Sequence, residues 1–351
     1  MTELVRDWRA WLVFALYLVA IFLLLFKINS TDIDIRAAGL ADPSTDRQEY
    51  AAQAEEMHYQ MFVHKVEGMR VRQIADPPSL GERHKLRWAY KSVEVLVYEL
   101  VRSVAGTKAA LYVQYLHYAL FATAALLFTV LSVRLILPAA GRDLLAIVGV
   151  AVFAYFAFLT VCGDIEETFT YIETAAIAAA IYFALRRQMV PFLIVLVVAV
   201  ANRETGVAIG MIYVILNWRW RLFYLPLTAG PVLLVLFNLD LFIQPGIYDP
   251  ANFLTFADER PNVFNLATAS KSLLTGALLE LLVILGPLAL FVPRIDKDEM
   301  FVKLGLIGLM YLVILLFGTY IGNAFAYLLL VPPIICIAVL AFRPGQSVDR
   351  Q

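Results

Sequence analysis

The sequence is poor in charged residues. They make up 16% of its 351 residues, whereas 61% are hydrophobic and the mean hydropathy is +0.75. A soluble globular domain of this length could hardly stay in solution with so few charges. The composition therefore predicts an all-α polytopic membrane protein.

Several kinds of functional signature are also missing. The net charge of -1 argues against a polyanionic partner such as nucleic acid. Two cysteines, Cys162 and Cys336, lie in different apolar runs and offer neither a disulfide framework nor a metal-ligand spacing. The four histidines lack ligand spacing, and neither His-Glu-x-x-His nor Gly-x-Ser-x-Gly occurs, which argues against a zinc protease or a serine hydrolase.

Long apolar runs fill most of the chain. About ten of them are long enough to cross a bilayer if the shorter ones are tilted or interrupted. We expect a single membrane domain over residues 1–351, with a first helix that is an uncleaved signal anchor and long loops at 29–109 and 244–271. The predicted spans are 9–28, 110–134, 143–162, 168–186, 189–203, 205–218, 222–243, 272–293, 300–318 and 321–342. Helices 2–7 thus occupy 110–243, and helices 8–10 occupy 272–342.

The basic residues of the short connections predict the orientation. With ten spans they fall on one side, which the positive-inside rule makes cytoplasmic, so both termini are expected inside. These residues are Arg6, Arg9, Arg134, Arg142, Arg186, Arg187, Arg219, Arg221, Arg294, Lys297, Lys303, Arg343 and Arg350.

The loop at 29–109 contains two helical patterns. Apolar residues recur mostly every three or four positions from Tyr50 to Met69, and again from Leu86 to Val104. The sequence at 76–79, Asp-Pro-Pro-Ser, separates the two patterns. We expect two amphipathic helices on the outer membrane surface.

Acidic and polar residues collect on the predicted outer side. The string Asn-Arg-Glu-Thr-Gly at 202–206 stands between two apolar runs, where a charge costs about 2.5–3.5 kcal/mol on insertion scales. Arg203 and Glu204 are adjacent and would point about 100° apart on a helix, so each needs a separate partner. Other polar residues in the outer halves of spans are Glu173, Asp240, Glu280 and Asn323.

This set of side chains fits the chemistry of a lipid phosphate. The arginine fork matches phosphate oxygens. A carboxylate takes a proton from a hydroxyl acceptor or holds a divalent metal ion. The outer face therefore has the groups needed to move a substituent from a lipid phosphate to an acceptor.

Three stretches resemble the GT-C superfamily of membrane glycosyltransferases, which use polyprenyl-linked sugar donors. Asp46 precedes Tyr50 and Ala54 as an acidic residue does at the first surface helix of small bacterial members. The stretch 163–166, Gly-Asp-Ile-Glu, stands where those proteins have an acidic second outer loop, and 202–205 resembles an Asn-Arg-Glu-Thr string that we associate with the superfamily. The similarity covers residues 1 to about 220 and is mainly architectural.

The resemblance implies an inverting sugar transfer from a polyprenyl-phosphate donor to a glycan or lipid acceptor, in cell-envelope polysaccharide biosynthesis at the bacterial inner membrane. The implied base is an aspartate after the first span, and the implied donor-phosphate site includes Arg203. The acidic second loop would bind Mg²⁺ or Mn²⁺ or orient the donor. By role, the candidates are Asp46, Asp34 or Asp32 as base; Arg203, Glu204, Asn202, Arg87 and Lys91 at the donor phosphate; and Asp164, Glu166 and Glu167 at the metal or donor.

The same residues are also compatible with other functions. Glu173, Arg203, Asp240 and Glu280 could line the path of a transporter for a small solute or ion. Cys162 could be an outer-face nucleophile, although a cysteine that ends an apolar run more often serves packing. Arg87 and Lys91 could rest on anionic headgroups, and the polar layer could serve assembly with a partner subunit.

Overall fold

The described part of the chain is entirely helical. A computed structural model describes residues 19, 88–137, 168–220, 222–237, 292–295, 297–318 and 324–342, and no strand occurs among them. The α-helices are α1 Trp88–Ile136, α2 Thr168–Leu185, α3 Met189–Asn202, α4 Ile209–Asn217, α5 Tyr224–Phe237, α6 Glu299–Gly318 and α7 Val331–Val339. Short 3-10 helices cover Glu204–Ala208, Val292–Arg294, Ala324–Leu330 and Leu340–Phe342.

Helix α1 consists of two helices that meet at Gly106. This glycine has φ 84° and ψ 170°, which breaks the helical path and lies in a region that favours glycine. The segment before it covers most of the predicted second surface helix, and Leu100 and Val104 on it are exposed. The segment after it continues to Ile136 and contains the predicted second span.

Helix α2 forms the centre of the described fold. Every residue from Thr170 to Tyr182 is buried, and seven of these positions are alanines or threonines that let neighbouring helices approach closely. Its main packing partner is α1, where the ring of Phe128 lies 5.8 Å from Tyr182 and 5.5 Å from Phe183. Apart from Glu173 and its threonines the helix is apolar on every side, which is the pattern of a helix buried all round.

Helices α3 and α4 form a short hairpin that folds back beside α2. Helix α3 has 14 residues and is therefore about 21 Å long, and α4 has nine residues. At the base of the hairpin, Asn217 donates a hydrogen bond of 2.8 Å to the carbonyl of Ala184. Helix α5 packs so closely on α4 that a side chain at Gly210 would meet the Pro226 carbonyl.

Helix α6 begins at the base of the same hairpin. Lys303 donates to the Leu216 carbonyl at 3.0 Å and pairs with Glu299 at 3.0 Å. Glu299 also lies 4.0 Å from the guanidinium of Arg219. We call this end of the bundle, where Arg186, Arg187, Arg219 and Lys303 gather, the basic end.

Two described helices are long and apolar enough to cross a membrane. They are Ala119–Ile136 within α1 and Glu299–Leu316 within α6. The predicted segments 168–186, 189–203, 205–218, 222–243 and 321–342 contain apolar helices of 10–17 residues. The predicted spans 9–28 apart from Val19, 143–162, and 272–293 apart from its last two residues lie outside the described residues, as do the loop 244–271 and most of 29–109.

Candidate functional site

A buried acid lies at the centre of the polar residues in the described bundle. Glu173 stands in the second turn of α2, and its side chain is fully buried. The hydroxyl of Thr205 donates a hydrogen bond of 2.5 Å to its Oε1 atom. The Nη1 atom of Arg203 lies 3.6 Å from its Oε2 atom. Two residues of the Asn-Arg-Glu-Thr string therefore contact the two oxygens of one carboxylate.

The geometry of the hairpin turn places these residues. Helix α3 ends at Asn202, and Arg203 adopts an extended backbone with φ -156° and ψ 149°. The amide of Arg203 donates to the Ala199 carbonyl at 2.9 Å, and its own carbonyl accepts from Gly206 at 2.9 Å. The chain then turns into the 3-10 helix, which carries Thr205 back toward α2.

Gly206 allows the turn to be this tight. A Cβ atom at this position would overlap the carbonyl group of Ala199 in the preceding helix. Because both colliding groups belong to the backbone, a rotamer change could not relieve the overlap. The glycine of the string is thus required by packing, and the packing positions Arg203 and Thr205.

The ion pair is shielded from water. The side chain of Arg203 is 10% exposed and that of Glu173 is 0% exposed. Removing one partner of such a pair leaves a buried charge and costs about 3–5 kcal/mol. Asn202, which precedes Arg203 in the sequence, is also buried. The turn therefore places several polar groups within an apolar bundle.

A tyrosine hydroxyl from a distant helix is also buried in the described bundle. Tyr311 belongs to α6 and is fully buried. Its hydroxyl makes no hydrogen bond to any residue in the described ranges. Sequence reasoning missed Tyr311 because a tyrosine within an apolar run has the same pattern as an ordinary core residue.

The predicted phosphate-site residues are partly described. Asn202 and Arg203 are buried at the turn, and Glu204 begins the 3-10 helix. Lys91 belongs to the first part of α1. The sequence identified Glu173 only as one polar residue of the outer layer, whereas the structure makes it the partner of Arg203. The remaining candidates lie outside the described residues: Asp32, Asp34, Asp46, Arg87, Asp164, Glu166 and Glu167.

Metal binding by the described side chains has no support in the geometry. Within the described ranges, no group of three His, Cys, Asp or Glu side chains is placed to hold a metal ion. The acidic residues expected to hold Mg²⁺ or Mn²⁺ stand at 164–167, outside those ranges. The metal site stays a prediction from the sequence.

Comparison with known proteins assigns neither a family nor a function to this chain. No protein-family model matches the sequence, and neither a curated protein nor a solved structure matches it. The contacts around Glu173 therefore have to support any functional proposal by their own chemistry.

Proposed function

We propose that the protein is a membrane glycosyltransferase of the GT-C type. It transfers a sugar, with inversion, from a polyprenyl-phosphate donor to a hydroxyl acceptor on the extracytoplasmic face. The observation that carries this proposal is the buried contact between Arg203 and Glu173 at the turn of an apolar hairpin. A charged pair in such surroundings is costly to keep, which favours a functional reason for its presence.

Arg203 has the chemistry that the departing lipid phosphate requires. A guanidinium carries five N–H donors in a rigid fork that matches phosphate oxygens. Glu173 contacts one edge of the fork and so fixes its direction. A donor group that is already oriented stabilises the negative charge that develops on the leaving phosphate. Glu173 is in this scheme a positioning residue for Arg203.

The location of the pair suits a lipid-linked substrate. Glu173 stands twelve residues before the end of α2 at Leu185, about 18 Å above the basic end. With the basic end at the cytoplasmic surface, this height lies in the outer half of a hydrocarbon layer of about 30 Å. We infer a multi-pass protein of the bacterial inner membrane, in which the phosphate of the donor reaches Arg203 from the outer leaflet.

The exterior of the described helices agrees with a membrane location. Large apolar side chains are exposed along α6 at Val302, Leu306, Leu309 and Val313, with exposures between 44% and 55%. Monomeric soluble proteins rarely expose continuous apolar stripes of this kind. The stripe therefore supports a helix that faces lipid.

The acceptor base in this proposal is an aspartate near the first span. Asp46 or Asp34, with Asp32 as a further candidate, would take the proton of the acceptor hydroxyl as the sugar is transferred. Asp164, Glu166 and Glu167 would orient the donor or hold a divalent cation. These roles come from the resemblance to GT-C enzymes and await the experiment below.

Sugar transfer by the purified protein in lipid nanodiscs tests the proposal. A panel of polyprenyl-phosphate sugars would be offered to the wild type and to Asp34→Asn, Asp46→Asn and Arg203→Ala, with release of polyprenyl phosphate as the readout. We expect wild-type turnover that falls at least 100-fold in one aspartate variant and in the arginine variant. Arg186→Ala, an exposed arginine at the basic end, is the matched control and should retain activity. The absence of turnover with every donor and acceptor offered would contradict the proposal.

Transport is a second candidate because of one structural observation. The hairpin of α3 and α4 is interrupted at a charged residue, and each half is too short to cross a bilayer alone. Interrupted helices of this kind form substrate and ion sites in many secondary transporters. The test is uptake of a labelled solute into proteoliposomes. Uptake that requires Glu173 and Arg203, in a protein that transfers no sugar, would favour a transporter.

A further inference from the structure

The turn between α2 and α3 holds an arginine in a backbone conformation that favours glycine. Helix α2 ends at Leu185, and Arg187 follows with φ 54°. The amide of Arg187 donates to the Ala184 carbonyl at 3.0 Å, and the amide of Gln188 donates to the Phe183 carbonyl at 2.9 Å. These two hydrogen bonds form the Schellman motif, in which glycine is the usual residue at the position of Arg187. The backbone therefore gives no reason for an arginine here, and its exposed side chain needs a separate one.

A second exposed arginine arises beside this turn. Asn217, at the end of α4, donates a hydrogen bond of 2.8 Å to the Ala184 carbonyl and so joins the two turns. Arg219 follows two residues later, and its side chain is 73% exposed. Its Cζ atom lies 5.3 Å from the ring centre of the exposed Trp218, a cation-π contact that restricts the direction of the guanidinium. The fold thus brings Arg187 and Arg219 to one corner of the basic end.

This corner carries an excess of positive charge. Glu299 pairs with Lys303 at 3.0 Å and reaches Arg219 only at 4.0 Å. Exposed ion pairs of this kind contribute little free energy in water, so they do not hold Arg219 away from another partner. In the described part of the chain, no acidic side chain pairs with Arg187. The two arginines therefore suit an anionic group.

An apolar stripe begins directly after the first turn. It consists of Val190, Ile194, Val197 and Val198 on α3, which are 39–69% exposed. Residues with this spacing share one face of a helix, and the stripe is about 12 Å long. A soluble anion would leave it uncovered, whereas a phospholipid has a charged headgroup followed by apolar chains. Trp218 also fits the headgroup level of a membrane, where tryptophan is enriched.

We propose that Arg187 and Arg219 bind the headgroup phosphate of an anionic phospholipid, whose acyl chain lies along the stripe on α3. Guanidinium groups match phosphate oxygens, and basic sites between helices at the cytoplasmic surface bind lipid headgroups. Phosphatidylcholine has the same phosphate but also a choline cation, so the positive corner should select a lipid such as phosphatidylglycerol. The site requires the basic end to lie at a membrane surface and is independent of sugar transfer.

Native mass spectrometry of the full-length protein in detergent micelles tests the site. The protein would be titrated with phosphatidylglycerol, with phosphatidylcholine of the same acyl chains, and with glycerol 3-phosphate as the soluble headgroup. We expect the wild type to bind phosphatidylglycerol at least about fivefold more tightly than phosphatidylcholine. Glycerol 3-phosphate should bind far more weakly than the lipid, because it cannot cover the stripe.

The substitution Arg187→Gly separates lipid binding from folding. It removes the charge and supplies the residue that the Schellman motif favours, so the melting temperature should stay unchanged or rise. Affinity for phosphatidylglycerol should fall about fivefold, and Arg219→Gln should have a similar effect. Binding of phosphatidylcholine should not change in either variant. Arg134→Gln is the matched control, since Arg134 is an exposed arginine in the last turn of α1, and it should bind both lipids as the wild type does.

Three results would overturn the proposed lipid site. Equal binding of the two lipids by the wild type would show that charge does not select the ligand. Equal losses in Arg134→Gln and Arg187→Gly would mean that the total charge attracts the lipid rather than this corner. Glycerol 3-phosphate that binds as tightly as phosphatidylglycerol would identify a site for a soluble phosphate. Because no sugar donor is present in these titrations, each result leaves the proposed sugar transfer to be tested separately.

Discussion

Thr205 and Glu173 are joined by a hydrogen bond of 2.5 Å between side chains that stand 32 residues apart in the sequence. The bond ties the hairpin turn to the central helix α2. Arg203, two residues before Thr205, contacts the other oxygen of the same carboxylate. The direction of the arginine therefore depends on the position of the turn as well as on the ion pair.

Thr205→Val should loosen the turn. The valine keeps the shape of the side chain but leaves an oxygen of Glu173 without its hydroxyl donor, which should cost about 1–3 kcal/mol of unfolding free energy. Thr205→Ser should restore most of the loss. Reversible unfolding in mixed micelles would measure both. Thr228→Val makes the same change at an exposed threonine of α5 that bonds its own backbone, and it should have little effect; equal losses at the two sites would refute the role of Thr205.

Glu173 and Arg203 should behave as a coupled pair in a double-mutant cycle. Glu173→Met alone should cost about 3–5 kcal/mol because it leaves a buried arginine, and Arg203→Met alone should cost a similar amount. The double variant should be more stable than the sum of the two losses predicts. Unfolding free energies of the four proteins would give the coupling. Additive losses would mean that the pair does not interact in the folded protein.

Gly206→Ala should be strongly destabilising although it adds one methyl group. The new Cβ atom would overlap the Ala199 carbonyl, so the turn would have to open at a cost of about 1–3 kcal/mol or more. Gly305→Ala is the matched control, since a Cβ atom in that helical position meets nothing within 4 Å. The control should be stabilised by about 0.5–1 kcal/mol from helix propensity. Thermal unfolding of both variants checks the contrast.

Leu309→Asp tests whether α6 faces lipid. Leu309 is 55% exposed on the apolar stripe, and an aspartate near the middle of a membrane helix costs about 2.5–3.5 kcal/mol on insertion scales. We expect a sharp fall in the protein recovered from membranes, whereas Leu309→Ala should be recovered normally. Quantitative blotting of the membrane fraction after alkaline washing gives the comparison. Wild-type and variant proteins that both accumulate in the soluble fraction would refute a membrane location.

The sequence predicted the described helices well where a long apolar run defined them. The expected span 168–186 corresponds to α2 at Thr168–Leu185, and 300–318 corresponds to α6 at Glu299–Gly318. In the described part of the predicted segment 321–342, a 3-10 helix at Ala324–Leu330 precedes α7, which the sequence did not predict. Hydropathy reports which residues avoid water, but it does not distinguish a 3-10 helix from an α-helix.

The candidate site could be predicted in part. Arg203 stood out because a charge within an apolar run is costly, and its need for a separate partner followed from its neighbour Glu204. The identity of that partner did not follow, because Glu173 and Arg203 are 30 residues apart and their contact arises only when α3 folds back on α2.

The hairpin is joined to neighbouring helices at both of its ends. Its base is held by Asn217 on the Ala184 carbonyl and by Lys303 on the Leu216 carbonyl, which connect it to two helices. Its tip meets α2 through the side chains of Arg203 and Thr205. A swing of about 10° around the base would carry the end of a roughly 20 Å helix through about 3.5 Å. A rotation of this size would separate Arg203 from Glu173, so the contacts at the tip hold the hairpin at one angle to α2.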